Sequence, residues 1–476
     1  MNPKKHLPTL LILLLGAANA LFAQTYCDLN DCLFWHAQPE PIDSATLVYK
    51  TNAWSIDEWD NIACNFPVQQ CENLSLDLYY PQLTGNEKRP LVLLIHGGAF
   101  IEGDKSAFRA QARKFARLGY VPATITYRLC KRNNCLLLDW AGDENPALMP
   151  ALICNLNFWS DFGTGAYVAT LDAHDALRFL QNNAAQYGID PQNVIVGGHS
   201  AGAWTALHMA FLSQNEADSM GGWSGIWGPL NPASGIKGVI SLSGAVFDTA
   251  HIDASEQVPI FAVHGACDAV VCYDQDAPFH CNANYPQIQG GGNIALRAAH
   301  QGLPYYLFSG DGMGHSVEPM QEIWEVELLR FMREIMLCGA PAQLHAVATQ
   351  SPASGECAIL QSPVLQAPHA PRAVAALAQS PLWGSLPACQ ATGISAAANA
   401  PVFRIFPTQT AGDHITVELS EPAVLTIYNL HGQELKRQAL QPGAQQVALD
   451  PSMRGVLLFV LTDKNRRIGA EKIMRW

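Results

Sequence analysis

The stretch Val194-Ile-Val-Gly-Gly-His-Ser200-Ala-Gly-Ala-Trp204 decides how this chain is read. Three β-branched residues predict a buried strand, and a helix is expected from Ala203. Gly198-His-Ser200-Ala-Gly202 is left as the turn between them, the strand–turn–helix setting in which a serine becomes an exposed nucleophile. Glycines on both sides of Ser200 permit the sharp reversal and keep side chains off the neighbouring strand and helix. As a bare pentapeptide the pattern is weak in a chain with 37 glycines, so its weight comes from its placement.

The same alternation continues outward from this turn. Short apolar runs recur at Leu91 to Ile95, Val121 to Tyr127, Val239 to Leu242, Ile260 to Val263 and Tyr305 to Phe308. Such runs suit strands covered on both faces. Helices are expected over 107–118, 171–187, 203–212, 294–299 and 320–337, with Gly188 stopping the second. Alternating strands and helices predict a three-layer α/β fold with a mostly parallel sheet.

At 476 residues the chain exceeds one ordinary core, and its composition changes along its length. Residues 1–23 place Lys4 and Lys5 before the apolar run Leu7 to Leu15 and end on small residues, which predicts a secretory signal peptide. That run is too short to span a bilayer, so no transmembrane segment is expected in the mature protein. Residues 24–338 carry the α/β pattern, and 339–400, rich in Ala, Pro, Ser and Gln, read as a linker. Over 401–476 the runs Ile415 to Leu419, Ala423 to Tyr428, Gln445 to Leu449 and Val456 to Leu461 predict a small β-sandwich.

Charge and cysteines narrow the function classes. A net charge of −13 argues against nucleic-acid binding, which needs cations to displace counterions from phosphates. Thirteen cysteines include the near neighbours Cys27 and Cys32, Cys64 and Cys71, Cys130 and Cys135, and Cys267 and Cys272. They predict disulfide pairing in an oxidising compartment. Neither a C-x-x-C doublet nor a His-rich cluster is present, so no metal site and no cofactor are expected.

A serine nucleophile needs an oxyanion site, a base and an orienting acid. After the strand Leu91 to Ile95 comes His96-Gly-Gly-Ala-Phe100, where small residues leave backbone N–H groups open. Gly98 and Ala99, with the amide of Ala201, are the expected oxyanion donors. Asp268 and His315 both follow predicted strands, on loops at the same sheet edge as Ser200, and are the expected acid and base. Asp248 is the rival acid, and His280 and His300 are the rival bases.

Read together, Leu76-Asp-Leu-Tyr-Tyr-Pro81, His96-Gly-Gly-Ala-Phe100, Ile125-Thr-Tyr-Arg128, Gly198-His-Ser-Ala-Gly202, His264-Gly-Ala-Cys-Asp268 and Gly314-His315 resemble the carboxylesterase and lipase branch of the α/β-hydrolase superfamily. The resemblance covers about Asn73 to Leu337 and departs at Ala99, where the family often has a third glycine. It implies a serine carboxylesterase working through an acyl-enzyme, with His199 structural. Members that cleave feruloyl or acetyl esters of plant polysaccharides imply a small or polymer-borne acyl or aryl ester as substrate. Two other readings stay open: a serine exopeptidase on the same fold, and a catalytically silent binding or adhesion scaffold.

Two insertions are candidates for shaping the pocket. One carries Leu136, Leu137, Leu138, Trp140, Leu148, Met149, Leu152, Phe158 and Trp159, and the other Trp223 and Trp227. They serve equally well as cover for the sheet. In the tail, Phe403-Arg-Ile-Phe-Pro407, Ile427-Tyr-Asn-Leu-His-Gly432 and Lys472-Ile-Met-Arg-Trp476 resemble the C-terminal sorting domain of the type IX secretion system. Thr408 departs from the usual pattern after that first motif. The resemblance implies the type IX machinery as a partner, passage through periplasm and outer membrane, tail removal, and release or surface attachment. A substrate-binding β-module is the alternative for this tail.

Overall fold

The computed structural model describes residues 34, 41–54, 71–82, 87–129, 158–221, 224–281, 286–349 and 372–373, and in the tail 403–406, 409–410, 414–419, 422–429, 434–450, 452–453, 455–463 and 466–475. The chain forms two compact units, one on residues 1–320 with 328–388, the other on 321–327 with 389–476.

The first unit is built on a ten-stranded sheet. Its strands are β1 (Ile42–Trp54), β2 (Cys71–Pro81), β3 (Arg89–Ile95), β4 (Val121–Ile125), β5 (Ile189–His199) and β6 (Ile236–Leu242). After the short β7 (Ala245–Val246) come β8 (Ile260–Gly265), β9 (Gln275–Asp276), β10 (Ile288–Gly290), β11 (Tyr305–Asp311), β12 (Gln343–Thr349) and β13 (Arg372–Ala373). The large sheet runs β1-β2-β4-β3-β5-β6-β8-β11-β12-β13, while β7, β10 and β9 form a small sheet of their own. The first two pairings, β1 with β2 and β2 with β4, are antiparallel. From β4 to β13 every pairing is parallel.

Continuous burial explains why these runs become inner strands. All of β4 and all but the first residue of β3 are buried, which requires cover on both faces. That cover comes from helices α1 (Arg109–Arg117), α2 (Phe158–Asn182), α3 (Ala201–Phe211) and α4 (Gly291–Gln301). One core joins Leu93, Ile95, Ala123 and Val196 to Ala173, Leu177, Trp204 and Leu207 of the helices. This is the three-layer α/β arrangement expected from the alternation.

Several elements differ from the sequence expectation. Strands β1 and β2 were not anticipated, because β1 lies at the sheet edge and is partly exposed along its length. Helix α2 starts at Phe158 rather than Leu171. Gly165 lies within it, where a Cβ would come 2.8 Å from the Cβ of Phe100. The linker expected over 339–400 is also corrected, since Gln343–Thr349 is β12, parallel to β11. Its buried Leu344, His345 and Ala346 lack the bulky apolar run that marks an inner strand.

Residues 350–371 and 374–400 of that stretch lie outside the described residues, as do the expected signal peptide and the insertion before Phe158. Among the cysteine pairs, Cys267 and Cys272 do not bond to each other. The buried Cys272 keeps its thiol, which faces the carbonyls of Asp276 and Ile288. The other three pairs involve residues outside the described set. Among the described residues, no helix is long and apolar enough to cross a membrane.

The second unit holds two small sheets. Strands β14 (Phe403–Phe406), β15 (Gln409–Thr410), β16 (His414–Leu419), β17 (Ala423–Asn429), β18 (Glu434–Leu440), β19 (Gly443–Ala448), β20 (Gly455–Asp463) and β21 (Arg466–Arg475) form the orders β14-β16-β19 and β15-β21-β20-β17-β18. All neighbours are antiparallel except β15 and β21. Ile415, Val417 and Val447 of one sheet share a core with Leu425, Ile427, Leu457 and Phe459 of the other, which is how a sandwich buries two inner faces.

A buried ion network braces the first unit. Asp172 of α2 is fully buried and accepts from Arg128 N at 3.0 Å, Arg128 Nε and Nη2 at 2.8 Å, and Lys50 Nζ at 2.7 Å. Burial alone would raise its pKa, but the charges and hydrogen bonds of Arg128 and Lys50 hold it below the usual carboxylate range. Asp172→Ala should lose about 3–5 kcal/mol at pH 7, since it strands a buried guanidinium. The folded-state pKa is depressed, so this contribution is present above the unfolded value near ~3.9 and fades as the pH falls below it. Urea unfolding of both proteins across that range checks the prediction.

Candidate active site

Ser200 stands between β5 and α3 with φ 54° and ψ −123°, a strained backbone for a residue with a Cβ. The flanking glycines make this turn possible because β3 passes so close. A Cβ on Gly202 would lie 2.0 Å from the Ile95 carbonyl oxygen, and one on Gly198 would lie 2.3 Å from the same atom. The Ser200 amide donates to Leu242 O at 2.8 Å, which ties the elbow to β6.

The structure brings His315 and Asp268 together. His315 Nδ1 lies 2.7 Å from Asp268 Oδ2, with the imidazole partly exposed and the carboxylate buried. Asp268 Oδ1 accepts the amides of Val270 and Val271, each at 2.9 Å. Burial would raise its pKa, but hydrogen bonds from His264 and His315 hold it far below the usual range. Asp268 is therefore an anion at any working pH.

His315 is also held by its backbone. Its carbonyl accepts from Ser243 Oγ at 2.9 Å and from His199 Nε2 at 3.1 Å. The His199 and His315 rings lie 5.0 Å apart, so the residue preceding Ser200 touches His315 directly. Burial and the neighbouring His315 lower the His199 pKa. The Ser200 hydroxyl itself makes no hydrogen bond among the described residues. Such contacts commonly tighten only when substrate is bound.

The loop after β3 presents open amides. Gly98, Ala99 and Phe100 take φ values of 105°, 50° and 64°. The Gly98 carbonyl accepts from the amides of Ile101 and Glu102, at 2.9 and 3.0 Å. The Gly97 carbonyl faces His96 Nδ1 at 2.7 Å and accepts from Tyr127 Oη at 3.4 Å. Tyr127 Oη also donates to His96 O at 3.0 Å, and its ring stacks on His96 at 4.3 Å. In a trans peptide the N–H opposes the C=O, so anchoring the Gly97 oxygen fixes the direction of the Gly98 amide. The amides of Gly98, Ala99 and Ala201 have no acceptor among the described residues. They are open to donate to a bound group.

The rival residues are occupied elsewhere. Asp248 caps a short helical turn, accepting from Ala250 N at 2.8 Å. His280 is exposed and pairs with Asp276 at 2.7 Å, and His300 lies exposed on α4. Of the second insertion, Trp223 lies outside the described residues. Trp227 and Ile101 both pack against Val168, and the Arg128 guanidinium lies 5.5 Å from the Trp227 ring centre. Four supports were missed in the sequence: His264, Ser243, Tyr127 and Glu318, whose carboxylate accepts from the Ser316 hydroxyl. Only His264 and Tyr127 lay inside motifs already singled out, and nothing in the sequence marked Ser243.

The parallel layered sheet with an elbow serine after a central strand defines an α/β-hydrolase fold. The family model BD-FAE matches residues 76–135 and 154–244, which hold the loop after β3 and the elbow and end before Asp268 and His315. Carboxylesterase 1D of Rattus norvegicus is 30% identical over 160 residues, 32% of this chain and 23% of that protein. Phenmedipham hydrolase of Pseudarthrobacter oxydans is 30% identical over 138 residues, 29% of this chain and 23% of its own. This chain therefore spans about a quarter of the length of these two curated relatives. Among solved structures, butyrate-bound esterase 2 of Thermogutta terrifontis aligns at TM-score 0.38 and 17% identity, covering 65% of this chain and 98% of that one.

The close pass of β3 yields a direct test. Gly202→Ala should destabilise the protein by at least about 3 kcal/mol, because the methyl group meets backbone rather than a movable side chain. Gly225→Ala, where a Cβ meets nothing within 4 Å, should stay close to wild type. Chemical denaturation of the two variants side by side measures the difference.

Proposed function

We propose that this protein is a serine hydrolase of carboxylic esters that works through an acyl-enzyme. The observation that carries the reading is the His315–Asp268 pair at 2.7 Å, on the sheet edge where the strained elbow presents Ser200. Because Asp268 holds Nδ1, the second ring nitrogen of His315 is left to take the Ser200 proton. Ser200 Oγ attacks the ester carbonyl, and the resulting oxyanion accepts from the amides of Gly98, Ala99 and Ala201. The C–O bond to the alcohol then breaks, and His315 returns the proton to the leaving oxygen. Water attacks the acyl-enzyme by the same route, with His315 again as base, and frees Ser200.

An acyl or aryl ester, small or borne on a polymer, is the proposed substrate. The packing of Trp227 and Ile101 against Val168, beside the loop after β3, supports this class, as do the names of the esterase relatives. Export is proposed from the N-terminal signal pattern, and passage through the type IX machinery from the tail motifs. The shared core of the tail's two sheets is compatible with a separately recognised sorting module.

Ser200→Ala should lower kcat on p-nitrophenyl acetate by about 10⁶, by analogy with serine-nucleophile knockouts, while the unfolding midpoint stays near wild type. Turnover undiminished in that variant would overturn the assignment. Parallel assays on acetyl, feruloyl and long-chain acyl esters identify the acyl preference.

A further inference from the structure

Asp268 Oδ2 has a second imidazole beside it. His264, the last residue but one of β8, is fully buried, and its Nε2 lies 3.3 Å from that oxygen and 3.0 Å from Val271 O. Its other nitrogen, Nδ1, accepts the amide of Gly291 at 3.0 Å. A nitrogen that accepts carries no hydrogen, so the ring is the neutral Nε2–H tautomer and its single proton faces Val271 O and Asp268.

The chain shapes itself around this ring. A Cβ on Gly291 would lie 2.8 Å from His264 Nδ1 and 2.9 Å from His264 Cβ. On Gly290 it would lie 1.8 Å from Cys272 O. These glycines let the start of α4 close over the imidazole, while the Tyr273 ring stands edge-on to it at 5.7 Å. Nothing in the proposed chemistry requires a second histidine here, and a core aliphatic residue would fill the space without a polar atom to satisfy.

We propose that His264 is a positioning residue that shares the Asp268 carboxylate with His315 and so tempers how strongly the acid holds the base. This rests on the esterase reading. The titratable groups around His315 are Asp268, His199 and Glu318, and Asp268 adds His264. Of these, His264 is the neutral donor aimed at the oxygen that His315 uses. Withdrawing it leaves more negative charge on Oδ2 for His315, while the amides of Val270 and Val271 still pin Oδ1. The imidazolium is then favoured, and the acid limb of the activity profile moves to higher pH.

Two variants separate this role from packing. Gln at position 264 places an amide nitrogen where Nε2 was, whereas Asn reaches only as far as Nδ1 and can still accept from Gly291. His264→Asn should raise the midpoint of the acid limb of kcat/KM by about one unit, the effect of losing one hydrogen bond to a charged group. His264→Gln should restore the limb to within about 0.3 unit of wild type, a shift below what one such bond supplies. An unmoved or lowered limb in a folded His264→Asn protein overturns the proposal. So does an equal displacement in both variants.

If His264→Asn does not fold, nitrogen NMR of the wild-type protein decides. His264 should be the Nε2–H tautomer at the pH of the assay, and an Nδ1–H ring would overturn the proposal. Ester turnover by wild type, and its loss in Ser200→Ala, establish the underlying reading separately, so either can fail alone.

Discussion

A buried carboxylate is the constraint on which the site depends. Moving such a charge out of water costs several kcal/mol even after relaxation, and only a full set of donors offsets it. Asp268 has that set: two backbone amides on Oδ1 and two imidazoles on Oδ2. These donors come from the loop after β8, from β8 itself and from the loop after β11, so the charge can be satisfied only when those segments have converged. Folding and the electrostatics of the site are thereby the same event.

Close approach is the second constraint. The end of β3 supplies Ile95 and His96 carbonyls that pass Gly202 at a distance no side chain tolerates. Within that gap the elbow and the loop after β3 are set side by side, which puts the open amides of Gly98, Ala99 and Ala201 near Ser200. Positive φ at Ala99, Phe100, Ser200 and Ser243 shows where non-glycine residues hold sparsely populated backbone around this edge. The dense packing of Phe100 against Phe162 and Trp204, with ring centres 5.0 and 6.5 Å away, helps over-determine that geometry.

How much of this could be read from the sequence follows from how local each signal is. Strands β3, β4, β6, β8 and β11 announce themselves because burial on both faces leaves continuous apolar runs. The edge strand β1 and the alanine-rich β12 lack such runs, and their pairing is decided by distant partners. Glycines mark the elbow because tight turns are local, whereas the need for Gly165 comes from its helix passing Phe100 and leaves no local signal. Asp268 and His315 were found from strand-end placement, and the bond between them is geometry that spacing cannot supply. Ser243 supports His315 through a backbone carbonyl, a role that any small hydroxyl at that place could fill and that leaves no motif.

The measurement that tests the central claim most directly is labelling of the folded protein with a fluorophosphonate, followed by intact mass and peptide mapping. A nucleophilic role for Ser200 predicts one adduct per chain, on the peptide carrying that residue and nowhere else. A folded protein that stays unmodified, or an adduct on another residue, would contradict it.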